Sequence, residues 1–389
     1  MNTYDVVIVG AGPAGFACAL KLAQKNLSVA LIEKNQLPAG KPCGEGILPN
    51  GVNQLKSLGI LDFIGDDQQH KIDGIRYITA KHQAKASFIN GVGLGINRVV
   101  LSSAFKKSLN QYPNIHLIKA EFKNYENSIV TVKEENLMRH IKTKFLVGAD
   151  GLRSKVRSNL GIEIKKPYFK RWALTAHMPI KAWTSLVEIH LDKNIEAYVT
   201  PTGKNEINVV FMWDRSKKLP AKGKDLFFAL IDNFPKLKKQ MALYDLSHKA
   251  FAIGPFHYRA KNFFSKTHAA LIGDAAGYID PLTGEGINLG LYQGQLLAHI
   301  IGDKLRQNKR ITQSDLQEYQ RGALNYGRAH TWLTYIMLLM QKNNLFFELA
   351  MKIFKTYPWL LSSLTAISMG VPISALVAHP LTKTNPTLE

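Results

Sequence analysis

The sequence predicts an α/β fold in which a parallel sheet of βαβ units is interleaved with a mostly antiparallel β-sheet domain and followed by a C-terminal helical segment. Three observations support this prediction. A glycine-rich turn joins an apolar strand to a helix near the N-terminus, residues 170–254 alternate apolar and polar side chains, and residues 356–378 carry no charge. Glycine at a strand–helix junction is typical of βαβ units, whereas period-two alternation is typical of half-buried strands.

The composition indicates a globular protein large enough for two domains. The 389 residues are 46% hydrophobic and 20% charged, so the chain can bury a large core. The sequence has two cysteines, Cys18 and Cys43, and no cluster of cysteine and histidine with metal-ligand spacing. Because Met1 leads directly into a strand, the sequence predicts a cytoplasmic protein without disulfides or a bound metal.

The charge balance indicates an acidic partner. There are 50 Lys and Arg against 29 Asp and Glu, which gives a net charge of +21. A nucleic acid, an anionic membrane surface and an acidic ligand would all suit this charge. The basic residues are scattered and form no zinc-finger, RRM or KH motif, so no nucleic-acid partner is expected.

The first motif is the glycine-rich turn at residues 10–15. An apolar strand precedes it, a helix follows, and a second strand ends on Glu33. Gly10, Gly12 and Gly15 form the G-x-G-x-x-G pattern, which allows a tight turn and close approach to a pyrophosphate at the helix N-terminus. Glu33 is placed to accept hydrogen bonds from a ribose diol, which disfavours NADP at this site. The motif therefore predicts a dinucleotide-binding βαβ unit.

Two later segments repeat this arrangement. A short apolar strand precedes Gly148, Asp150 and Gly151, and another precedes Gly273, Asp274 and a loop that leads to a helix starting near residue 286. The three segments resemble the dinucleotide, DG and GD motifs of flavoproteins with the aromatic-hydroxylase fold. That superfamily includes flavin monooxygenases, flavin halogenases and geranylgeranyl reductases, and the resemblance covers about residues 1–300.

This resemblance implies a discontinuous FAD-binding domain made of residues 1–71, 98–168 and 255–325. Asp274 is expected to bond the ribityl chain, Asp150 to lie near the pyrophosphate, and Arg98 to reach the phosphates. The amides of residues 286–288 should face the flavin N1–C2 carbonyl, where a helix N-terminus stabilises negative charge. The predicted FAD-binding residues are Gly10, Gly12, Pro13, Ala14, Gly15, Glu33, Lys34, Cys43, Gly44, Arg98, Asp150, Gly273, Asp274, Gly284, Gly286, Ile287 and Asn288.

The loop "KPCGEGI", residues 41–47, resembles the K-x-C-G-G-type segment of geranylgeranyl reductases. The resemblance implies that this loop crosses the isoalloxazine ring, where glycine lets the backbone approach closely. Cys43 is therefore expected to lie beside the flavin and to tune or gate the cavity; the alternative is a catalytic role as a proton donor. The further acid–base candidates are Glu45, His177, Asp280 and Glu285.

Residues 72–97 and 169–254 are predicted to form a substrate-binding sheet domain. Tyr198, Phe211 and Trp213 are the candidate lining of a cavity for a lipophilic small molecule, with Met212 and Trp172 as further candidates, although each could instead be ordinary sheet core. The strand "EAYVTP" keeps the tyrosine and proline of the Y-x-W-x-F-P strand of prenyl reductases but lacks its tryptophan and phenylalanine. The W-x-W-x-I-P motif of halogenases is absent from the sequence.

The resemblance implies an FAD-dependent oxidoreductase. The first hypothesis is an NAD(P)H-driven flavin monooxygenase that hydroxylates an apolar aromatic or lipid-like substrate through a flavin C4a-hydroperoxide. The alternative is a geranylgeranyl-reductase-like flavoprotein that reduces alkene bonds of a prenyl or other lipophilic substrate. A third hypothesis is a non-catalytic FAD-binding carrier or sensor. NADPH or NADH is the expected co-substrate, and the sequence has no second Rossmann unit for it.

Residues 326–389 are predicted to form the C-terminal helical region. The uncharged residues 356–378 are long enough to span a bilayer, but Pro358, Gly370 and Pro372 interrupt them, so packed helices are expected. Lysine-flanked apolar faces near residues 345–355, together with the positive charge, predict peripheral contact with an anionic membrane on its inner face. The alternative is that these helices merely close the fold.

Overall fold

Two large sheets and a helical C-terminus organise the protein, which confirms the predicted fold class. Elements are numbered β1–β21 and α1–α11 in chain order. The computed structural model describes residues 1–165, 171–192, 195–214, 225–241, 250–254, 256, 258–266, 268–340, 344–372, 374 and 376.

The larger sheet has eight strands and a parallel centre. Its path runs β19–β20–β11–β1–β2–β8, and β10 and β9 extend β11 as an antiparallel hairpin. Strands β8, β2, β1, β11 and β20 are parallel neighbours, so their carboxyl ends meet at one edge, where α/β proteins bind ligands. The strands are β1 (Asn2–Val9), β2 (Val29–Glu33), β8 (Ile115–Lys119), β9 (Glu121–Glu126), β10 (Ile129–Glu134), β11 (Leu137–Gly148), β19 (Phe264–Ser265) and β20 (Ala269–Leu271).

Helices cover this sheet. They are α1 (Pro13–Ala23), α2 (Pro49–Ser57), α3 (Arg98–Ser108), α4 (Lys155–Asn159), α7 (Gly286–Arg306) and α8 (Gln313–Tyr326). Helices α1 and α7 pack backbone to backbone, because a Cβ on Gly294 would overlap the Ala14 carbonyl oxygen. Phe16 and Phe105 stack between α1 and α3 with ring centroids 4.8 Å apart. These contacts fix the starts of α1 and α7 relative to each other.

The second sheet has seven strands in the order β17–β13–β16–β15–β14–β5–β6. All pairs are antiparallel except β14 with β5. Its strands are β5 (Gly74–Ile78), β6 (Gln83–Ser87), β13 (Arg171–Met178), β14 (Leu186–Asp192), β15 (Ile195–Gly203), β16 (Glu206–Asp214) and β17 (Ala250–Ile253). Because β5 and β6 come from the first quarter of the chain, the two sheets are interleaved in sequence. The domain boundaries themselves stay a prediction.

Both faces of the seven-stranded sheet are covered. Helices α5 (Asp225–Ile231) and α6 (Pro235–Met241) pack on one face, and the cavities described below and the C-terminal helices lie on the other. Two small sheets connect the large ones. They comprise β3 (Gly46–Ile47), β7 (Gly93–Ile96) and β4 (Gln69–Ile72), and β12 (Ile164–Lys165), β18 (Tyr258–Ala260) and β21 (Gly277–Tyr278).

The C-terminal region contains α9 (Arg328–Met340), α10 (Asn344–Thr356) and α11 (Pro358–Ser368). Helices α10 and α11 pack against β6, and α9 contacts both. Among the described residues, none of the helices has the length and apolar character that crossing a membrane requires. Part of the uncharged stretch, at residues 373, 375, 377 and 378, lies outside the described residues.

Candidate functional site

Three adjoining cavities lie between the carboxyl edge of the parallel strands and the seven-stranded sheet. The outer cavity is lined by the glycine-rich turn and Glu33. The central cavity lies between the 41–44 loop, the start of α7 and the sheet. The inner pocket lies beyond that loop. Arg98 lines both the outer and central cavities, and Cys43 lines both the central cavity and the inner pocket.

The glycine-rich turn closes tightly under the outer cavity. Gly10 has φ +108, and a Cβ there would lie 2.6 Å from the Ala149 carbonyl carbon. A Cβ on Gly15 would overlap the Gly10 carbonyl oxygen, so this glycine sets how closely α1 approaches β1. A Cβ on Gly12, by contrast, would meet no protein atom within 4 Å and would point into open space. The turn therefore leaves room for a ligand at the N-terminus of α1, beside Pro13 and Ala14, which line the central cavity.

Glu33 and Arg98 flank the outer cavity. The Glu33 carboxylate ends β2 and accepts hydrogen bonds from the backbone N–H groups of Ala11 at 3.0 Å and Asn35 at 2.9 Å. Lys34, which follows it, is exposed and also lines this cavity. Arg98 begins α3, as predicted, and is only 8% exposed. A buried guanidinium on a cavity wall is suited to bind an anion there.

Asp150 shapes the wall of the outer cavity through its hydrogen bonds. Its carboxylate accepts from the N–H groups of Lys155 and Val156 at 2.7 and 3.1 Å and from the Ser154 hydroxyl at 2.5 Å. It thereby holds the start of α4, while the residue itself lines the cavity. A direct contact with a pyrophosphate stays a prediction.

An ion pair crosses the central cavity. Lys41 Nζ lies 2.7 Å from Asp274 Oδ2, which joins the 41–44 loop to the GD motif. Gly273 has φ +59, and a Cβ there would lie 2.9 Å from the Ala14 Cβ, so glycine is required for this approach. Sequence reasoning missed Lys41 as a site residue, although it stands inside the quoted "KPCGEGI" segment.

The N-terminus of α7 faces the central cavity, and its first residue is the predicted Gly286. Gly284 supplies the preceding left-handed turn with φ +72. The N–H of Leu289 is the first to bond within the helix, to the Glu285 carbonyl, so the amides of residues 286–288 are left for other partners. Ile287 lines the cavity, whereas the Asn288 side chain points to α2 and donates to Asn50 at 2.5 Å.

Comparison with known proteins decides which ligand this site takes. A family model described as "FAD binding domain" matches residues 3–331. The chain belongs to this FAD binding family. It is 26% identical over 329 residues to a menaquinone reductase of Mycobacterium tuberculosis, covering 78% of each chain. It is also 26% identical to digeranylgeranylglycerophospholipid reductase 1 of Methanococcoides burtonii, covering 82% of this chain and 79% of that protein.

Solved structures agree on the fold. The flavin-dependent brominase Bmp2 superposes with a TM-score of 0.81 at 19% identity, covering 95% of this chain and 94% of that one. The family match and its enzyme relatives make the chain an FAD-dependent oxidoreductase. The cavity residues fit the cofactor: an open space at Gly12, a carboxylate at Glu33, the buried cation of Arg98 and two helix N-termini line one continuous space.

Cys43 is held firmly on the wall between the central cavity and the inner pocket. Its carbonyl accepts from Asn208 Nδ2 at 2.6 Å, and Asn208 in turn accepts from the Thr175 hydroxyl at 2.7 Å. The Cys43 Sγ accepts from the N–H of Glu45 at 3.4 Å. Burial raises the pKa of the Cys43 thiol, more than the nearby Arg98 lowers it, so the thiol keeps its proton. The side chain is partly exposed, and that exposure is toward the two cavities.

Glu45 and His177 form a hydrogen-bonded pair beside this loop. Glu45 is 1% exposed and has a left-handed φ of +61, which is unusual for a side chain of its size. Its carboxylate accepts from the N–H of Arg98 at 2.8 Å and lies 2.8 Å from His177 Nε2. Burial raises the pKa of Glu45, and the carboxylate raises the pKa of His177 against the lowering effect of that histidine's own burial. The pair therefore locks the loop and the start of α3 together.

The inner pocket is mainly apolar and includes one of the predicted substrate residues. Its lining residues are Cys43, Gly44, Glu45, Gly46, Leu48, Ile75, Val187, Ile189, Tyr198, Thr200, Tyr278, Pro281, Leu282, Thr283, Gly284, Gly286 and Ile287. Tyr198 is buried, and its hydroxyl donates to Glu196 at 2.5 Å. Sequence reasoning missed Tyr278, which lines both this pocket and the central cavity and carries no sequence signal of its own.

Phe211 and Trp213 do not line these cavities, which corrects the prediction for both. They lie on the opposite face of β16, where Phe211 packs against Phe227 with ring centroids 5.1 Å apart. Val210 and Met212, on the alternate positions, belong to the cavity side, and Val210 lines the central cavity. The two faces differ because successive side chains of a strand point in opposite directions. Trp172 also packs on the far-face cluster.

A buried charge network lies behind Tyr198. Arg171 bonds Glu196 at 2.7 Å and Asp280 at 3.1 Å, and all three are buried. Burial raises the pKa of Asp280 to about 6, although Arg171 lowers it. Asp280 also accepts from the N–H of Leu282 at 3.1 Å, so it fixes the turn that leads to α7. This network gives Asp280 a structural role between the sheet and the GD loop.

Glu285 is a buried carboxyl, and its hydrogen-bond partners among the described residues are uncharged. It accepts from Asn288 Nδ2 at 2.7 Å and from Asn50 Nδ2 at 3.5 Å, and its second oxygen has no hydrogen-bond partner among the described residues. Burial raises the pKa of Glu285 to about 7. The carboxyl thus holds a proton near neutral pH, on the α2 side of α7.

Proposed function

We propose that the protein reduces carbon–carbon double bonds in an apolar, prenyl-type lipid, with NADPH or NADH as the electron donor. The observation that carries this proposal is the position of the Cys43 thiol. It lies on the wall shared by the FAD cavity and a mainly apolar pocket, and its raised pKa keeps it protonated. A proton donor between hydride source and substrate is what alkene reduction requires.

The inner pocket supports an apolar substrate. Leu48, Ile75, Val187, Ile189 and Leu282 supply aliphatic walls, and few polar groups interrupt them. Pockets of this composition bind apolar ligands and use their few polar groups to orient them. Thr200 lies in the same pocket and would orient a polar end of the substrate.

Individual residues of the chain have separate roles in the proposed reaction. FAD held by the residues of the outer and central cavities would, in its reduced form, be the source of the hydride. Cys43 would give its proton to the carbon of the double bond that does not receive the hydride, and the resulting thiolate would take up a proton from water before the next turnover. Asn208 and Thr175 hold the loop, and the apolar pocket excludes other water. The product gains two hydrogens and no oxygen.

The relatives support the same chemistry. By their names, one acts on menaquinone, a prenylated quinone, and the other on a phospholipid that carries geranylgeranyl chains. Geranylgeranyl chains contain isolated double bonds, which are the reducible groups of such a lipid. The altered "EAYVTP" strand retains Tyr198 in the inner pocket, so the pocket keeps a polar group where the prenyl-reductase pattern has one.

Hydroxylation is the second candidate, and the polar side chains in the inner pocket favour it. Thr200 lines that pocket and would hold a ring hydroxyl of an aromatic substrate. The Cys43 thiol argues against hydroxylation, because oxygen activated next to it would oxidise the thiol. Alkene reduction does not use activated oxygen, so the thiol is compatible with that reaction.

Mass spectrometry of the products distinguishes these functions. The purified protein is reduced anaerobically with NADPH or NADH and then given a geranylgeranylated lipid that has no quinone ring, with and without O₂. We expect a product heavier by two hydrogens and independent of O₂. Cys43→Ala should keep flavin reduction and lose product, and Cys43→Ser should keep a small part of the activity. A gain of one oxygen supports the hydroxylase, reduced flavin without any product supports a carrier or sensor, and full activity of Cys43→Ala refutes the proton-donor role.

A further inference from the structure

Exposed apolar side chains concentrate on the C-terminal helices. More than half of the large apolar residues that are exposed in the described part of the chain lie between residues 332 and 359. We define the apolar face by seven of them: Trp332, Ile336, Leu339, Leu349, Ile353, Tyr357 and Trp359. Exposed apolar groups at this density mark an interaction surface.

The spacing places these side chains on one side of each helix. Trp332, Ile336 and Leu339 follow one another at four- and three-residue steps on α9, and Leu349 and Ile353 are four residues apart on α10. The intervening Leu338 and Met351 are buried and pack on the protein core. Both helices therefore have two apolar sides. One side packs on the protein core, and the other faces outward.

The charges on this region suit an anionic surface. Residues 328–372 contain the basic residues Arg328, Lys342, Lys352 and Lys355 against a single acidic residue, Glu348. Lys352 and Lys355 are exposed on α10, while Glu348 lies 3.6 Å from His82. Exposed lysines on the same helix as part of an apolar face that carries tryptophans form the pattern of a protein that rests on anionic lipid.

The same helices build the outside of the inner pocket. Thr283 lines that pocket, and its hydroxyl lies 2.6 Å from His330 Nδ1 and 3.2 Å from the Thr334 hydroxyl, both on α9. Leu48, which also lines the pocket, packs against Ala366 on α11. Helices α9 and α11 therefore carry part of the apolar face and also contact residues that line the inner pocket.

We propose that α9–α11 dock on an anionic lipid bilayer and that the inner pocket takes its substrate from that bilayer. The docking stands on exposure and charge alone, whereas the delivery of substrate rests on the proposed function. The apolar side chains enter the acyl boundary, and the lysines contact the headgroup phosphates. A second copy of this chain is the competing occupant of the face.

Vesicle flotation tests the docking. The FAD-loaded protein is mixed with vesicles of phosphatidylcholine alone or with phosphatidylglycerol added. We expect flotation with the anionic vesicles, weakened by high salt, and a blue shift of tryptophan fluorescence as Trp332 and Trp359 enter the interface. Trp332→Phe/Trp359→Phe should float normally and lose that shift, because the remaining tryptophans, Trp172, Trp183 and Trp213, lie in the seven-stranded sheet or beside it.

Paired variants separate the apolar and charged contributions. Leu349→Gln/Ile353→Gln should weaken vesicle binding by about tenfold or more, and Leu137→Gln/Met138→Gln, which are more exposed and lie on β11, should not. Lys352→Glu/Lys355→Glu should weaken it by roughly fivefold for each lost charge, and Lys236→Glu/Lys239→Glu on α6 serves as its control.

Three results would overturn the proposal. The first is that the protein does not bind anionic vesicles. The second is that the control pairs weaken vesicle binding as much as the tested pairs do. The third is that Leu349→Gln/Ile353→Gln converts a dimer to a monomer and leaves vesicle binding unchanged. The last result would assign the face to a second copy of the chain. Vesicle binding needs no turnover, so a protein that docks but reduces no lipid refutes the proposed function and leaves the docking intact.

Discussion

Alanine at Gly12 should abolish tight FAD binding without destabilising the protein, whereas alanine at Gly15 should do both. A Cβ on Gly12 meets no protein atom within 4 Å, and its φ of −85 and ψ of 179 suit any residue. The new methyl group therefore fills only the space beside the N-terminus of α1. A Cβ on Gly15 overlaps the Gly10 carbonyl oxygen and lies 3.3 Å from the Ala149 Cβ, so α1 must move away from β1.

The magnitudes follow from these contacts. A phosphate displaced from one helix N–H loses a charged hydrogen bond worth about 1.5–3 kcal/mol, which weakens FAD binding about 10- to 100-fold in Gly12→Ala. Overpacking of a tight contact destabilises a protein by about 1–3 kcal/mol, so Gly15→Ala should also lower the thermal midpoint of the apoprotein by several degrees.

Flavin fluorescence titration of the apoprotein measures the affinity, and differential scanning calorimetry without FAD measures the stability. Gly161→Ala, at an exposed turn with φ +64 that lines neither cavity, is the control for stability: backbone strain should lower its thermal midpoint while its FAD affinity stays unchanged. Wild-type affinity in Gly12→Ala would show that no phosphate lies at this turn. An unchanged midpoint in Gly15→Ala would refute the close packing of α1 on β1.

Three further predictions concern buried groups. Burial raises the pKa of Glu285 to about 7, so the folded protein keeps a proton that the unfolded chain has already released. The free energy of unfolding should therefore fall by about 3 kcal/mol as the pH rises from about 4.5 to about 7. The thermal midpoint should fall over the same range, and Glu285→Gln should remove most of that fall. Arg171→Met should destabilise by about 3–5 kcal/mol because two buried carboxylates lose their cation, against about 1 kcal/mol or less for the exposed pair in Arg139→Met. Phe211→Ala should lower stability by about 3–5 kcal/mol in chemical denaturation and leave the substrate KM unchanged; a raised KM with normal stability would contradict its placement on the far face.

The FAD-binding turns could be predicted from sequence because each depends on local backbone geometry. Gly10 and Gly273 take left-handed conformations that glycine adopts freely, and each follows a strand whose apolar run is visible in the sequence. Gly286 begins α7 at the expected residue, since a Pro/Gly-rich loop must end before a long amphipathic helix can start. Such signals need no knowledge of the distant chain.

The side chains of the substrate pocket could not be predicted in the same way. Alternation separates Phe211 from Val210 but does not say which of the two faces the cavity, because β16 is buried on both sides and its central seven residues are all buried. Only the packing of α5 and α6 on one face decides it. The large aromatic side chains of Phe211 and Trp213 led to the wrong prediction. They fill the core between the sheet and helices α5 and α6, whereas a cavity requires side chains that leave space.

The 41–47 loop shows how a local pattern and a distant contact combine. Its glycines do not make the turn: the left-handed residue is Glu45, held there by the N–H of Arg98 and by His177. Gly44, in contrast, lies on the central cavity with no atom within 4 Å of a Cβ, so its missing side chain leaves space for the flavin. The glycine pattern predicts that space, but the position of Cys43 beside it depends on Asn208, 165 residues later. Gly44→Ala should therefore weaken FAD binding with the apoprotein stable, whereas Asn208→Ala should keep FAD and lose turnover because the thiol is no longer held toward the pocket.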